Sequence, residues 1–120
     1  MSHFTTVRTK ITNAEILKSS LADLGFKVET DCILRGYNGL TRQEEIVAVL
    51  DGQFDLGWHR NQDGSFSMIG DFWGISKKYN QTELVNKINQ KYAINETLLK
   101  AATQAGLKGA SVNVNVLVPA

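Results

Sequence analysis

The most restrictive feature of this sequence is a change in the spacing of its apolar residues, which occurs at Gly25. Before Gly25, apolar residues recur every three or four positions and predict a helix over about residues 13–24, ended by this glycine. After Gly25, apolar and polar residues alternate, which predicts a strand with one apolar face comprising Phe26, Val28, Thr30, Cys32 and Leu34. A helix stripe and a strand face must be buried together, and this requirement predicts an α+β protein.

The remaining elements are predicted from the same two periods. Thr12 and Glu15 have the spacing of a capping box at the start of the first helix. A helical region is predicted over residues 82–105, where the apolar stripe rotates, so that it comprises either two helices, the second capped by Asn95, or one kinked helix. Strands are predicted at residues 4–11, 45–50, 53–60, 65–73 and, from alternating valines, 112–118.

This order of elements favours an antiparallel sheet with the helices on one face. Residues 45–73 are typical of an antiparallel meander, because turn-forming sequences separate their three strands. The nearest common arrangement is a ferredoxin-like core with an enlarged central β-meander. No stretch has the composition of a linker, and we therefore expect residues 1–120 to form a single domain.

Charge and composition exclude several classes of function. The chain has 13 basic and 12 acidic residues and a net charge of +1. It therefore lacks the excess of basic residues that is typical of a general nucleic-acid binder. Its single cysteine, Cys32, excludes an internal disulfide and a multi-cysteine metal site. No apolar stretch is long enough to span a membrane and no signal segment is visible, so we expect a cytoplasmic or stromal location.

Two neighbouring predicted strands carry the densest group of polar and aromatic side chains. In one interpretation, these side chains form a pocket in which a carboxylate orients an imidazole beside an aromatic wall, as a sensor or enzyme would require. The residues are Asp55, Trp58, His59, Asp71 and Trp73. In the other interpretation, which we favour, the aromatic residues fill the core and the polar residues face solvent, because alternation alone explains every position.

No signature of catalysis accompanies these residues. Cys32 lies on the predicted apolar face, which favours a packed thiol over a nucleophile. His3 and His59 lack the local spacing of metal ligands, and no phosphate-binding loop, dinucleotide fingerprint or nucleophile elbow occurs. We therefore expect no metal and no cofactor, and nothing in the sequence supports an enzyme.

The segment after the second predicted strand offers a partner surface. Arg35, Tyr37 and Arg42 combine positive charge with an aromatic ring, and they could bind a phosphate or a protein groove. An ordinary glycine-containing connection explains the same composition. We expect a non-catalytic accessory or assembly protein that binds another protein, with homo-oligomerisation through the sheet or the last strand as a further alternative.

Four short motifs resemble one known family. They are Met1-Ser2-His3-Phe4-Thr5-Thr6, Asp23-Leu24-Gly25-Phe26, Phe54-Asp55-Leu56-Gly57-Trp58 and Asp71-Phe72-Trp73-Gly74. Together they resemble the hypothetical chloroplast open reading frame thirty-five family over almost the whole chain. The resemblance implies a soluble protein of a cyanobacterium or plastid, and it supplies no catalytic residue or cofactor. From Tyr92 to the Asn/Val tail, the chain departs from the more charged sequence expected of the family.

Overall fold

The computed structural model describes residues 4–36, 39, 41–50 and 54–107, without the side chains of 105–107. Its five strands form one sheet with the order β1-β5-β4-β3-β2, and each neighbouring pair is antiparallel. The elements are β1 (Thr5–Arg8), α1 (Ala14–Asp23), β2 (Lys27–Arg35), β3 (Thr41–Val49), β4 (Asp55–Arg60), β5 (Phe66–Gly70), α2 (Phe72–Ile75) and α3 (Gln81–Leu107). The predicted α+β class is confirmed.

The strand order confirms the meander, and the ferredoxin-like core stays a prediction. Strands β2 to β5 are neighbours in sequence order, whereas β1 lies beyond β5 at the opposite edge from β2. The chain therefore crosses the sheet through α1, and the three strands β5, β4 and β3 separate β1 from β2. The predicted strand at 112–118 lies outside the described residues.

One face of the sheet is covered by helices. Leu17 and Leu21 of α1 and Ile88 of α3 are buried in one apolar cluster with side chains from the three central strands. Those strand residues are Ile46, Ala48, Leu56, Trp58, Phe66 and Met68. We call this side the helix-covered face. No described helix is both long and apolar enough to span a bilayer.

The ends of α1 follow from local hydrogen bonding. Asn13, rather than the predicted Thr12, caps the helix, because its side-chain oxygen accepts a bond from the backbone N–H of Ile16 (3.0 Å). At the other end Gly25 has a φ of 91°, as predicted for a glycine that ends a helix. The N–H of Phe26 then donates to the carbonyl of Leu21 (3.1 Å), which completes a Schellman motif.

The structure decides how the helical region is divided and where the meander ends. Helix α3 is continuous from Gln81 to Leu107, so the single-helix alternative is correct and no second helix begins at Asn95. Asn95 instead donates to Asp23 (3.0 Å) and connects the two long helices. The last meander strand ends at Gly70 rather than at residue 73, because the following aspartate caps α2 and turns the chain.

Strand β2 contains a break at Asp31. Its pairing with β3 keeps one register from Lys27 to Arg35, yet Asp31 is not paired and has a φ of 49°. Left-handed backbone is uncommon for residues other than glycine, and aspartate is among the residues that tolerate it. The break interrupts the alternation of side chains, because alternation requires an extended backbone at every position.

The predicted single apolar face of β2 is therefore wrong. Val28, before the break, packs against the helix-covered core. Leu34 and Cys32, after the break, pack on the opposite face in a second cluster with Val47 and Ile69. We call that side the second face.

The part of the β2–β3 hairpin beyond Asp31 bends over the second face. Lys27 and Asp55 both pair with Val49, so they lie level with each other across the sheet. At about 3.3 Å per residue, a flat strand would place Arg35 about 26 Å from this level. The backbone nitrogen of Arg35 nevertheless lies 3.0 Å from the Asp55 carboxylate. We call residues 32–35 and 41–44 the distal hairpin.

We expect Asp31→Val to destabilise the fold by about 1–2 kcal/mol, because a β-branched residue opposes left-handed backbone. Asp31→Gly should preserve or raise stability, since glycine adopts this conformation freely. Urea unfolding of the two variants measures the difference. Glu29→Val, at an ordinary position of the same strand, is the control, and equal losses for Asp31→Val and Glu29→Val would contradict the role of the break.

Candidate functional site

Two carboxylates are buried on the second face of the sheet. Asp55 and Glu44 are only 2% and 3% exposed. A buried carboxylate is costly unless a cation or hydrogen-bond donors compensate it. The compensating side chains are Arg35, Arg42 and His59, and we call these five residues the arginine–carboxylate cluster.

Asp55 and Arg35 form a forked ion pair. The Nε and Nη2 of Arg35 donate to the two carboxylate oxygens of Asp55 at 2.9 and 2.8 Å, and the Arg35 backbone N–H donates a third bond. These bonds connect the distal hairpin to the central strand β4, and the side-chain bond to Asp55 raises the pKa of Arg35. The Arg35 side chain remains 45% exposed, so the rest of its guanidinium faces the surface.

Glu44 is the second anchor. One oxygen lies 3.1 Å from Nδ1 of His59, and the other lies 2.7 Å from Nε of Arg42. The Arg42 contact is off the hydrogen-bonding direction and is therefore an ion pair alone. A Cβ at Gly57 would come within 3.2 Å of Glu44 Cγ and Leu34 Cδ1, so the glycine leaves the space in which the hairpin packs.

The cluster is suited to binding at the surface. Its two carboxylates are each paired with a cation. Its arginines, in contrast, are about half exposed, and the buried carboxylates beneath them orient their side chains. Among the described residues, no group of three or more His, Cys, Asp or Glu side chains is arranged to hold a metal ion.

The structure divides the residues predicted to form a ligand pocket. Asp55 and His59 lie on the second face, where they contact the distal hairpin. Trp58 lies fully buried on the helix-covered face, and its Nε1 has no acceptor in the described part of the chain. Asp71 is buried and accepts a bond from Gly74 N–H, whereas Trp73 is 48% exposed on α2. These five residues are therefore spread over both faces of the sheet.

The residues predicted to bind a partner lie closer together than those predicted to form the pocket. Arg35 and Arg42 lie together on the distal hairpin, whereas Tyr37 lies outside the described residues. Glu44 was not predicted as a site residue. Residues 46–50 are all apolar, so the spacing within this strand does not indicate which face Glu44 occupies.

Comparison with known proteins identifies relatives of the chain. The family described as "Protein of unknown function (DUF1257)" matches residues 20–116. The uncharacterized protein ycf35 of Guillardia theta is 30% identical over 107 residues, which cover 88% of this chain and 82% of the relative. No solved structure matches significantly. The resemblance seen in the sequence motifs is confirmed, and neither description states an activity.

We expect Asp55→Ala to lower the free energy of unfolding by about 2–4 kcal/mol, because three hydrogen bonds that connect the distal hairpin to the sheet are lost. Chemical denaturation measures the loss. Glu15→Ala removes an exposed ion pair with Lys18 and should cost about 0.5 kcal/mol at most. If both substitutions cost the same, the Asp55–Arg35 pair does not hold the hairpin.

Cys32 should react slowly with iodoacetamide at neutral pH. Burial raises the pKa of its thiol, and the negative charge and hydrogen bond of Glu29 raise it further. Less thiolate is then present, and the reaction should accelerate at a higher pH than in the urea-unfolded chain. Glu29→Gln should move this midpoint down, whereas Glu45→Gln should leave it unchanged. A midpoint equal to that of the unfolded chain would contradict the expectation.

Proposed function

We propose that this chain, which belongs to the family described as "Protein of unknown function (DUF1257)", is a non-catalytic accessory or assembly protein that binds a partner protein through its distal hairpin. We further propose that residues 1–120 act as a single domain in a cyanobacterial cytoplasm or a plastid stroma. The observation that carries the proposal is the pair of surface arginines held in place by buried carboxylates.

Preorganisation is what favours these arginines as binding groups. A free arginine loses considerable side-chain entropy when a partner immobilises it. Arg35 has already lost that freedom through its forked bonds to Asp55, and the ion pair with Glu44 restricts Arg42. The N–H groups that remain can therefore bind carboxylates of a partner at a reduced entropic cost.

The outer edge of β2 supplies a second recognition element. In the described part of the sheet, β2 pairs with β3 on one side and with no strand on the other. Ile33, in the distal half of this edge, is 52% exposed. An extended partner segment can pair with such an edge through its backbone while its side chains contact neighbouring groups. The partner chemistry that fits is an extended segment with acidic side chains and an apolar residue for Ile33.

The break at Asp31 favours an edge of β2 that binds a specific partner over an edge that causes aggregation. Long, flat, uninterrupted edges pair with any extended chain, and natural proteins interrupt them with irregular or charged residues. Asp31 divides β2 into two short halves with different directions. Only a short segment can then pair with the half that carries Ile33 and lies next to both arginines.

Quantitative co-purification from a cyanobacterial extract tests the proposal. Ile33→Asp and Arg42→Gln should each reduce the recovery of the same proteins about tenfold, the loss expected for 1.4 kcal/mol of binding free energy. Recovery should also fall with added salt, since the arginine contacts are exposed.

Two matched variants serve as controls for that experiment. Leu99→Asp changes an equally exposed apolar residue on α3, and Arg8→Gln changes an exposed arginine on the opposite edge. Both should leave recovery unchanged. Equal recovery with all four variants, each shown to be folded by circular dichroism, would overturn the distal hairpin as the binding surface.

A further inference from the structure

The sheet edge opposite the distal hairpin borders a groove. Its volume is about 440 Å³, and it lies between β1 and one flank of α3. The floor and walls are largely apolar, and they include Val7, Ile11 and Met68 on the sheet side and Val85 and Ala93 on the helix side. Val7 is 45% exposed in this groove. An apolar surface of this kind, beside a sheet edge, is typical of a docking site.

The backbone of β1 is free on the side of the groove. Within the described part of the sheet, β1 pairs with β5 alone and forms one of the two edges. Its outward N–H and C=O groups therefore match the backbone of an added strand. Such a strand would place alternate side chains over the groove, because side chains point to the two faces in turn.

We propose that residues 112–118 of the same chain occupy this groove and pair with β1 as a sixth strand. This segment lies outside the described residues, and its sequence is Val-Asn-Val-Asn-Val-Leu-Val. All four valines share one side of an extended strand, which is the pattern that an apolar groove on one face requires. The DUF1257 match extends to residue 116, so most of the segment belongs to the region shared with the family.

The length of chain beyond α3 is sufficient for this docking. The groove reaches Glu96, which lies eleven residues before the end of α3 at Leu107, or about 16 Å along the helix at 1.5 Å per residue. Residues 108–111 can span about 13 Å when extended, and the early part of the next segment covers the remaining distance. The other residues then extend along the groove.

The direction of the returning chain also fits. Tyr92 accepts bonds from the N–H groups of Thr12 and Asn13, so the end of the groove nearest the α3 C-terminus lies beside the residues that follow β1. A segment returning from Leu107 meets this end first and continues against the direction of β1. The added strand is therefore antiparallel, as are all other pairs in the described sheet.

Hydrogen exchange on the full-length protein tests the docking. In the wild type, the outward amides of β1 should exchange slowly. Val114→Asp combined with Val116→Asp would place charges in the apolar groove, and these amides should then exchange at least about tenfold faster. Asn113→Asp combined with Asn115→Asp adds the same charge to the opposite side and should leave exchange unchanged. Fast exchange in the wild type, or equal effects of the two pairs, would overturn the proposal.

Cysteine cross-linking distinguishes the chain's own segment from that of a second copy. In a Cys32→Ser background, Val7→Cys is combined in turn with a cysteine at each position from 112 to 118. Oxidation should produce a monomeric cross-linked product, strongest at one of the valine positions and weak at Asn113 and Asn115. A disulfide-linked dimer would assign the groove to a second copy, and no cross-link at any position would leave β1 as a free edge. Either result would overturn the proposal, and neither affects partner binding by the distal hairpin.

Discussion

The forked ion pair between Arg35 and Asp55 is the interaction on which the second face of this sheet depends. It connects two residues that a flat sheet would separate by most of the length of β2. The pair forms because the left-handed backbone at Asp31 redirects the strand, and because Gly57 leaves space beneath Leu34. The bend places the hairpin over Asp55 and also supplies the cation, without which a buried carboxylate is unfavourable.

The two faces of the sheet are consequently covered in different ways. On the helix-covered face, apolar side chains of α1 and α3 pack against those of the central strands and exclude water. On the second face, a small apolar cluster of Leu34, Val47 and Ile69 is bordered by the arginine–carboxylate cluster. The first arrangement is stabilised mainly by burial of apolar area, whereas the second also depends on hydrogen-bond geometry. That geometry gives the arginines defined positions at the surface, and this is the property that the proposed function uses.

Much of the fold could be predicted from the sequence, and less of the candidate site. The first helix and its terminal Gly25, the meander and the burial of Trp58 follow from local spacing, which short-range rules describe well. The sequence also identified Arg35, Arg42, Asp55 and His59 as residues of interest, although it assigned them to two separate sites. Glu44 was missed, because its importance arises from contacts with β4 that the spacing within β3 does not reveal.

The two periodicities and the end of the first helix follow from the order of residues alone, since each depends on residues only a few positions apart. In contrast, long-range packing places Cys32 and Leu34 on a different face from Val28 and pairs Arg35 with Asp55. The reason is that the faces of the hairpin change where Asp31 has left-handed backbone, and residue spacing carries no record of a backbone angle.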